Sequence, residues 1–392
     1  MNCRFCAAPL HDVFLDLGHA PPSNAFLTAA ALSAPETWLP LKLYTCGKCW
    51  LVQVGEITSH AELFAPDYIY YSSFSTTWLA HAERYVEKAV SRLKLGCDSL
   101  VMEVASNDGY LLKYVAARGI PCVGIEPTAG TAKVAREKGI ETLCEFFGRG
   151  FAENFVRDRR SADLIVANNV LAHVPDINDF VAGLQAVLAP GGTITAEFPH
   201  LMRLVAERQF DTVYHEHFSY FSLGTLSRIF ESHGLRIWDV EELPTHGGSL
   251  RIWAGHKAGP QDMTPAVAAL LATERKAGMQ EAAYYRGFQR AADAVKNGCL
   301  LFLLEQHRAG RKVAAYGAAA KGNTLLNYAG VKPDLLPYVV DASPHKRGHY
   351  LPGSHIPVVG EDHLRQDRPD FVLILPWNLR AEITAQLSYI RD

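Results

Sequence analysis

The chain has 392 residues, 48% hydrophobic and 20% charged, the proportions of a soluble globular protein long enough for two or three domains. Its 38 Lys and Arg nearly balance 41 Asp and Glu, giving a formal net charge of −3 with no long basic run. Nucleic acid and anionic membrane, which call for a clustered positive field, are therefore not expected partners.

The first residues, MNCRFCAAPL, carry no apolar core of signal-peptide length. No window approaches the roughly 18 apolar residues of a membrane span, and the expectation is a cytoplasmic protein. Cys3 and Cys6 form one C-x-x-C, and Cys46 and Cys49 form a second within YTCGKCW. Two such knuckles supply the four thiolates of a tetrahedral structural zinc. A redox pair is the alternative, disfavoured because neither motif opens a βαβ unit. With all four positions taken by Cys, no place is left for substrate or water, so the zinc is expected to be structural.

From Asp67 an aromatic and hydroxyl-rich loop leads into an amphipathic helix starting near Thr76. SLVMEVASNDGYLLKYVAARG then reads as a buried strand, a small-residue turn and a helix, and CVGIEPTAGTAKVAREKG repeats the pattern. ADLIVANNVLAHVPDINDFVAGLQAVLAPGGTITAEFP adds two strands around a helix. This alternation predicts a doubly wound α/β domain with a parallel sheet. A Gly-Gly turn at Gly247-Gly248 and one long helical stretch, QEAAYYRGFQRAADAVKNGCLLFLLEQ, come next. The α/β rhythm restarts with KVAAYGAAAKGNTLLNYAG, PYVVDASPHKRGHYLPGSHIPV and DFVLILPWN. Three parts result: a zinc domain and two α/β domains.

At the end of the first α/β strand, Glu103, Ala105, Asn107 and Gly109 stand in an E-x-A-x-N-x-G frame, with Asp108 beside them. A nucleoside cofactor binds where strand ends meet such a small-residue turn. The frame is not the G-x-G-x-x-G of dinucleotide binders, which argues against a dehydrogenase. Glu126, in GIEP after the second strand, is placed to accept two hydrogen bonds from a ribose diol. The alternative is an ordinary βαβ crossover with a capping acid.

The frame is that of class I S-adenosylmethionine-dependent methyltransferases, and the chain resembles the sugar-nucleotide C-methyltransferases of deoxysugar biosynthesis. The resemblance lies in the shared order of CRFC, FLDLG, PSNAFL, CGKC, SSFSTTWLAHA, EVASNDGYLL, ANNVLAHVPD, YHEHFSYFS, HGGSLR and GAAAKGNTLLN. It implies a zinc-binding domain (1–70), a methyltransferase domain (71–240) and a C-terminal Rossmann-like sugar-nucleotide-binding domain (241–392). It also implies that Asn168, Asn169 and His173 lie beside the methyl donor and the reacting carbon.

Tyr214–His217, YHEH, puts a phenol, two imidazoles and a carboxylate on consecutive residues. Buried, such a cluster costs free energy unless it is hydrogen-bonded or used. A surface loop or a metal site is the plainer alternative, but the pattern is not H-E-x-x-H. Methylating a saturated sugar carbon needs a carbanion equivalent next to a carbonyl, so the expected substrate is a nucleoside-diphosphate 4-keto sugar. A base titrating near neutral pH and donors aimed at the developing enolate oxygen are then required. His217 is the candidate base, and Glu216 and Tyr214 are candidates for orienting groups and for polarising or proton-shuttling roles at the keto oxygen. The resemblance places a catalytic Tyr-x-Glu-His pattern on these three, and His215 alternates away from them. For the diphosphate, Ser249 and Arg251 of HGGSLR and Lys321 and Asn323 at a helix N-terminus are the expected partners. NAD is not expected in the C-terminal domain.

The leading expectation is C3-methylation of such a keto sugar. C5 or another ketone as acceptor, and a non-catalytic zinc-ribbon scaffold, are the alternatives. The sequence does not specify the nucleotide, the C3 substituent or the oligomeric state; a monomer is compatible with it.

Overall fold

The computed structural model describes residues 1–55 and 72–391, so the expected loop from Asp67 lies outside the described residues as far as 71. Three sheets organise the described residues.

The first is antiparallel and pairs Asp12–Ala20, Leu39–Thr45, Val52–Val54 and Ser219–Tyr220 in that order. Its last strand comes from far along the chain, directly after YHEH. The two Cys knuckles close alike: the residues after Cys6 and Cys49, Ala7 and Trp50, both take a left-handed backbone (φ 56 and 66).

The central sheet has seven strands: β1 Val101–Val104, β2 Cys122–Ile125, β3 Thr142–Leu143, β4 Ala162–Asn168, β5 Leu188–Pro199, β6 Leu235–Leu243 and β7 Ser249–His256. Their order is β6-β7-β5-β4-β1-β2-β3, parallel except for β7, which runs antiparallel to both neighbours. The α/β class expected from the alternation is observed. All four residues of β1 are buried, as befits a strand covered on both faces. Chain progression reverses between β1 and β4, so their carboxyl ends open a crevice suited to a ligand. The sheet runs past the expected boundary at 240 and takes in HGGSLR, because β7 pairs with β5 and β6.

The helix expected near Thr76 spans Thr76–Leu93 and is capped by Ser75, whose side chain accepts from the Trp78 N–H. Ala82, Tyr85, Val86 and Ala89, spaced to share one face, are buried against β1 and Trp253. The single long helix expected around residues 280–306 is instead two, Ala282–Tyr285 and Phe288–Arg308. Gly287 between them has φ 90, a conformation that interrupts helical hydrogen bonding.

The third sheet is parallel: Val358–Val359, Val339–Val340, Val313–Tyr316 and Phe371–Ile374. The helix Ala320–Ala329 follows its strand Val313–Tyr316. Among the described residues no helix is long and apolar enough to cross a membrane.

Candidate active site and metal centre

The Sγ atoms of Cys3, Cys6, Cys46 and Cys49 all lie within 4.8 Å of one another. The pairs Cys3–Cys49 and Cys6–Cys46 are 3.5 Å apart. Zn–S bonds of about 2.3 Å in a tetrahedron give S···S edges of about 3.8 Å, so the four thiols fit zinc. The Gln53 side-chain amide donates to Cys3 Sγ at 3.3 Å, a second contact that favours the thiolate.

At the carboxyl end of β1 the turn is strained in a specific way. Ala105, Asn107 and Gly109 have φ of 54, 50 and 76, two of them at residues with a Cβ. Glu126 anchors this turn: one carboxylate oxygen accepts from the Asn107 N–H and the other from the Thr128 N–H, both at 2.9 Å. Each oxygen keeps a lone pair for a ligand hydroxyl. Asp108 is held by Lys138 at 2.9 Å and by the Ser73 hydroxyl. The Ser72 N–H donates to the Asn107 side-chain oxygen at 3.0 Å.

Around this turn, Glu103 Oε2, Ser106 Oγ, Asp108 Oδ1 and Asn168 Oδ1 are buried with no hydrogen-bond partner among the described residues. Burial pushes the Glu103 carboxyl well above its ordinary range. Orphaned buried polar atoms are costly, and a cluster of them at a strand-end crevice marks a ligand's place. Carboxylates for a ribose diol and an amino group, on a turn that permits close approach, fit S-adenosylmethionine. Asn169, also left-handed at φ 55, continues the rim from β4.

A second cluster of titratable groups is built by YHEH. The His217 N–H donates to Tyr214 O at 3.0 Å, closing a tight turn. His217 Nδ1 lies 3.2 Å from Thr212 O, a carbonyl that can only accept, so Nδ1 carries the proton and Nε2 keeps its lone pair. The ring centroids of Tyr214, His173 and Tyr220 stand 4.0, 4.7 and 5.9 Å from that of His217. Burial first, and the neighbouring His173 next, hold His217 well below its ordinary pKa, so it is a neutral imidazole. Phe218 N–H donates to Ala172 O at 2.7 Å, tying the loop to the one carrying His173.

Glu216 accepts from the Asn24 side chain at 2.8 Å. Burial raises its carboxyl to about 7, against the opposing Asn24 hydrogen bond. His215 turns to the first sheet, with Nε2 3.3 Å from Leu39 O.

Ser249 and Arg251 are placed otherwise than expected. Arg251 stands opposite Glu197 across β7 and β5, and their side chains pair at 2.9 Å. Glu197, 0% exposed, also receives His81 at 2.9 Å and the Thr245 hydroxyl at 2.7 Å. Burial alone would raise the Glu197 carboxyl, but His81 and Arg251 hold it below its ordinary value. Ser249 spends its hydroxyl on Thr245 O at 2.9 Å. A guanidinium in mid-strand needs a buried counter-charge, and Glu197 supplies it. Asn323 likewise spends its side-chain amide on Ser23 O at 2.6 Å.

Several neighbours of the cluster went unread in the sequence. His246, at φ 54 in the turn before β7, has Nε2 3.5 Å from the Asn169 side-chain nitrogen, and burial pushes it down to about 4. Asn24, Asp211 and Trp377 were also missed. For Trp377 a signal existed: it follows the strand in DFVLILPWN, and ligands gather at the carboxyl ends of parallel strands.

Three family models match the chain in succession: a zinc binding domain over residues 3–64, a methyltransferase domain over 78–240 and a C-methyltransferase C-terminal domain over 244–392. The chain is similar to the C-methyltransferase NovU of Streptomyces niveus, 35% identical over 385 residues, covering 97% of this chain and 91% of the relative. Solved structures similar to part of it include the Synechocystis magnesium protoporphyrin IX methyltransferase with bound SAH, at 14% identity and a TM-score of 0.36, covering 45% of this chain and 82% of that one. Another is the PH0226 protein of Pyrococcus horikoshii, at 13% identity and a TM-score of 0.38, covering 52% of this chain and 100% of that one.

Proposed function

The chain belongs to the C-methyltransferases, and from that premise we propose that its acceptor is a nucleoside-diphosphate 4-keto-deoxysugar, methylated at C3 next to the ketone. The observation that carries this reading is His217, neutral, with Nδ1 committed to Thr212 O and Nε2 free for a proton. The expected base titrates near neutral pH, whereas burial holds His217 below that range. The ring is thereby kept deprotonated and able to accept a proton α to a carbonyl beside the methyl-donor crevice. O- or N-methylation would not call for a carbon acid.

S-adenosylmethionine, when bound, supplies an electrophilic methyl group. Glu126, Glu103, Asn168 and the Ala105–Gly109 turn would hold it. His217 Nε2 takes the α-proton, and the C–H pair becomes the enolate double bond as the carbonyl pair moves to oxygen. Tyr214 and Glu216 orient the base and the ketone. His173 packs edge-on against His217 and fixes the ring plane. After the C–C bond forms, the carbonyl is restored and His217 returns its proton to solvent.

Mass spectrometry of products, after incubation with methyl donor and a panel of dTDP- and GDP-4-keto sugars, tests the reading. A product heavier by one methylene, with the methyl on C3 by fragmentation, is expected. Methylation at C5, or of no keto sugar in the panel, would move the acceptor to the alternatives of another ring carbon or another ketone.

Glu126→Ala separates the two halves of the site. Loss of charge-assisted hydrogen bonds is expected to weaken S-adenosylhomocysteine binding by about 1.5–3 kcal/mol. The affinity for the sugar nucleotide should hardly move by calorimetry. Unchanged cofactor affinity would leave Glu126 only its bonds to Asn107 and Thr128.

A further inference from the structure

The C-terminal domain reaches the YHEH loop through the first turns of helix Ala320–Ala329. The Thr324 hydroxyl donates to Val213 O at 2.8 Å, one residue before Tyr214. Lys321 lies three residues earlier, on the same helix face, and so is directed at the same segment. Its Nζ donates to the Asn378 side-chain oxygen at 2.7 Å and sits 4.7 Å from the centre of the Trp377 ring. The Trp377 indole N–H donates to Asp211 at 2.7 Å. Asp211 belongs to the turn Phe210–Thr212, whose last carbonyl holds His217. Trp377 also packs against Gly247, where a Cβ would collide with the indole. His246 is the next residue. Lys321 is thus built into the wall that carries His217 and His246.

Its charge reaches both rings, lowering the basicity of each. Asp211, the carboxylate that acts on Lys321, has one oxygen engaged by the indole, and burial raises its carboxyl to about 6. An ammonium has three donors, and Asn378 takes one. Desolvation lowers the Lys321 pKa despite Asp211, the mark of a cation short of negative charge. A diphosphate carries its charge permanently, whereas a cation in the wall that carries the proton-abstracting base is placed for charge that develops there.

We propose that Lys321 is a catalytic residue that meets the ketone oxygen of the acceptor and stabilises the enolate, so that the C-terminal domain completes the reaction centre. The proposal rests on the keto-acceptor reading above. In the step concerned, the α C–H bond breaks and its proton goes to His217. The C–H pair forms the C=C bond, the carbonyl π pair moves to oxygen, and that oxygen accepts an N–H of Lys321.

Lys321→Met and Lys321→Arg, compared with wild type, test it by three measurements. These are kcat at saturating keto sugar, affinity for dTDP and GDP without sugar, and S-adenosylhomocysteine binding as a control of folding. Lys321→Met is expected to lower kcat by about 10²–10³-fold, the cost of losing one oxyanion donor. Nucleoside-diphosphate and S-adenosylhomocysteine affinities should stay within about twofold of wild type, a ΔΔG of about 0.4 kcal/mol. Lys321→Arg should recover part of kcat, because it keeps the charge and donors. A kcat within about tenfold of wild type, or a loss confined to nucleoside-diphosphate affinity, would overturn the proposal and return Lys321 to the diphosphate. Should Lys321→Met not fold, Lys321→Arg and Lys321→Gln decide: equal kcat in the two overturns the proposal, and a deficit confined to Gln supports it. Wild-type protein that methylates no ketone removes the acceptor reading itself, an outcome separate from any effect of Lys321.

Discussion

Replacing His217 by asparagine is expected to lower turnover at least ~10²-fold while both ligands still bind, since asparagine keeps the approximate size but cannot take a proton near neutral pH. The sharper readout is isotope exchange. Wild-type protein with keto sugar and S-adenosylhomocysteine in deuterium oxide is expected to wash deuterium into the carbon next to the ketone, and the variant is not. Exchange that persists at the wild-type rate in the variant would reassign the base to His173 or Tyr214. The pH profile carries the same information. The base works when neutral, and burial holds its pKa well below 6.5, so it stays neutral as pH falls through 6.5. The acid limb of kcat/KM, which reports the free enzyme, is therefore expected well below pH 6.5. A limb near 7 would instead identify ionisation of Glu216, whose carboxyl burial has raised to about 7.

Removing a zinc ligand is expected to act on the fold before it acts on the chemistry. Protein prepared without chelator should hold about one zinc per chain by elemental analysis. Cys46→Ser, or stripping the metal, should lower the thermal midpoint markedly, because zinc binding contributes ~10–16 kcal/mol in small zinc domains, much of it through folding. The consequence extends to the active site. Val52–Val54, just past Cys49, is the strand on which Ser219–Tyr220 pairs, and Val54 N–H donates to Phe218 O at 3.1 Å. Asn24, which holds Glu216, belongs to the loop between the first two strands of that sheet. Loss of zinc should therefore loosen the YHEH loop in molecules that lose the first sheet, while any fraction that keeps that sheet folded turns over nearly normally. Protein free of zinc despite chelator-free preparation would contradict the assignment.

What the sequence determined by itself is local in origin. Two C-x-x-C motifs name their metal because thiolate chemistry and a spacing of three suffice. The alternation of buried strands with helical periods sets the α/β class, and Ser75 before an amphipathic repeat marks the start of the helix Thr76–Leu93. The E-x-A-x-N-x-G frame and Glu126 read as one site because both follow consecutive parallel strands.

The tertiary structure decided which charges meet. Arg251 read locally as a phosphate partner, yet strand order sets Glu197 opposite it, and a buried guanidinium takes the nearest carboxylate. Nothing within YHEH indicates that His215 bonds to Leu39, Glu216 to Asn24 and His217 to Thr212. Leu39 and Asn24 come from the first sheet and its connecting loop, and Thr212 from the turn Phe210–Thr212 just before YHEH. Lys321 and Trp377 reach the same wall from the third sheet, across more than a hundred residues of chain. Caps, periods and knuckles are encoded within a few residues, whereas the protonation of His217 and Glu216 depends on burial that only the folded chain supplies.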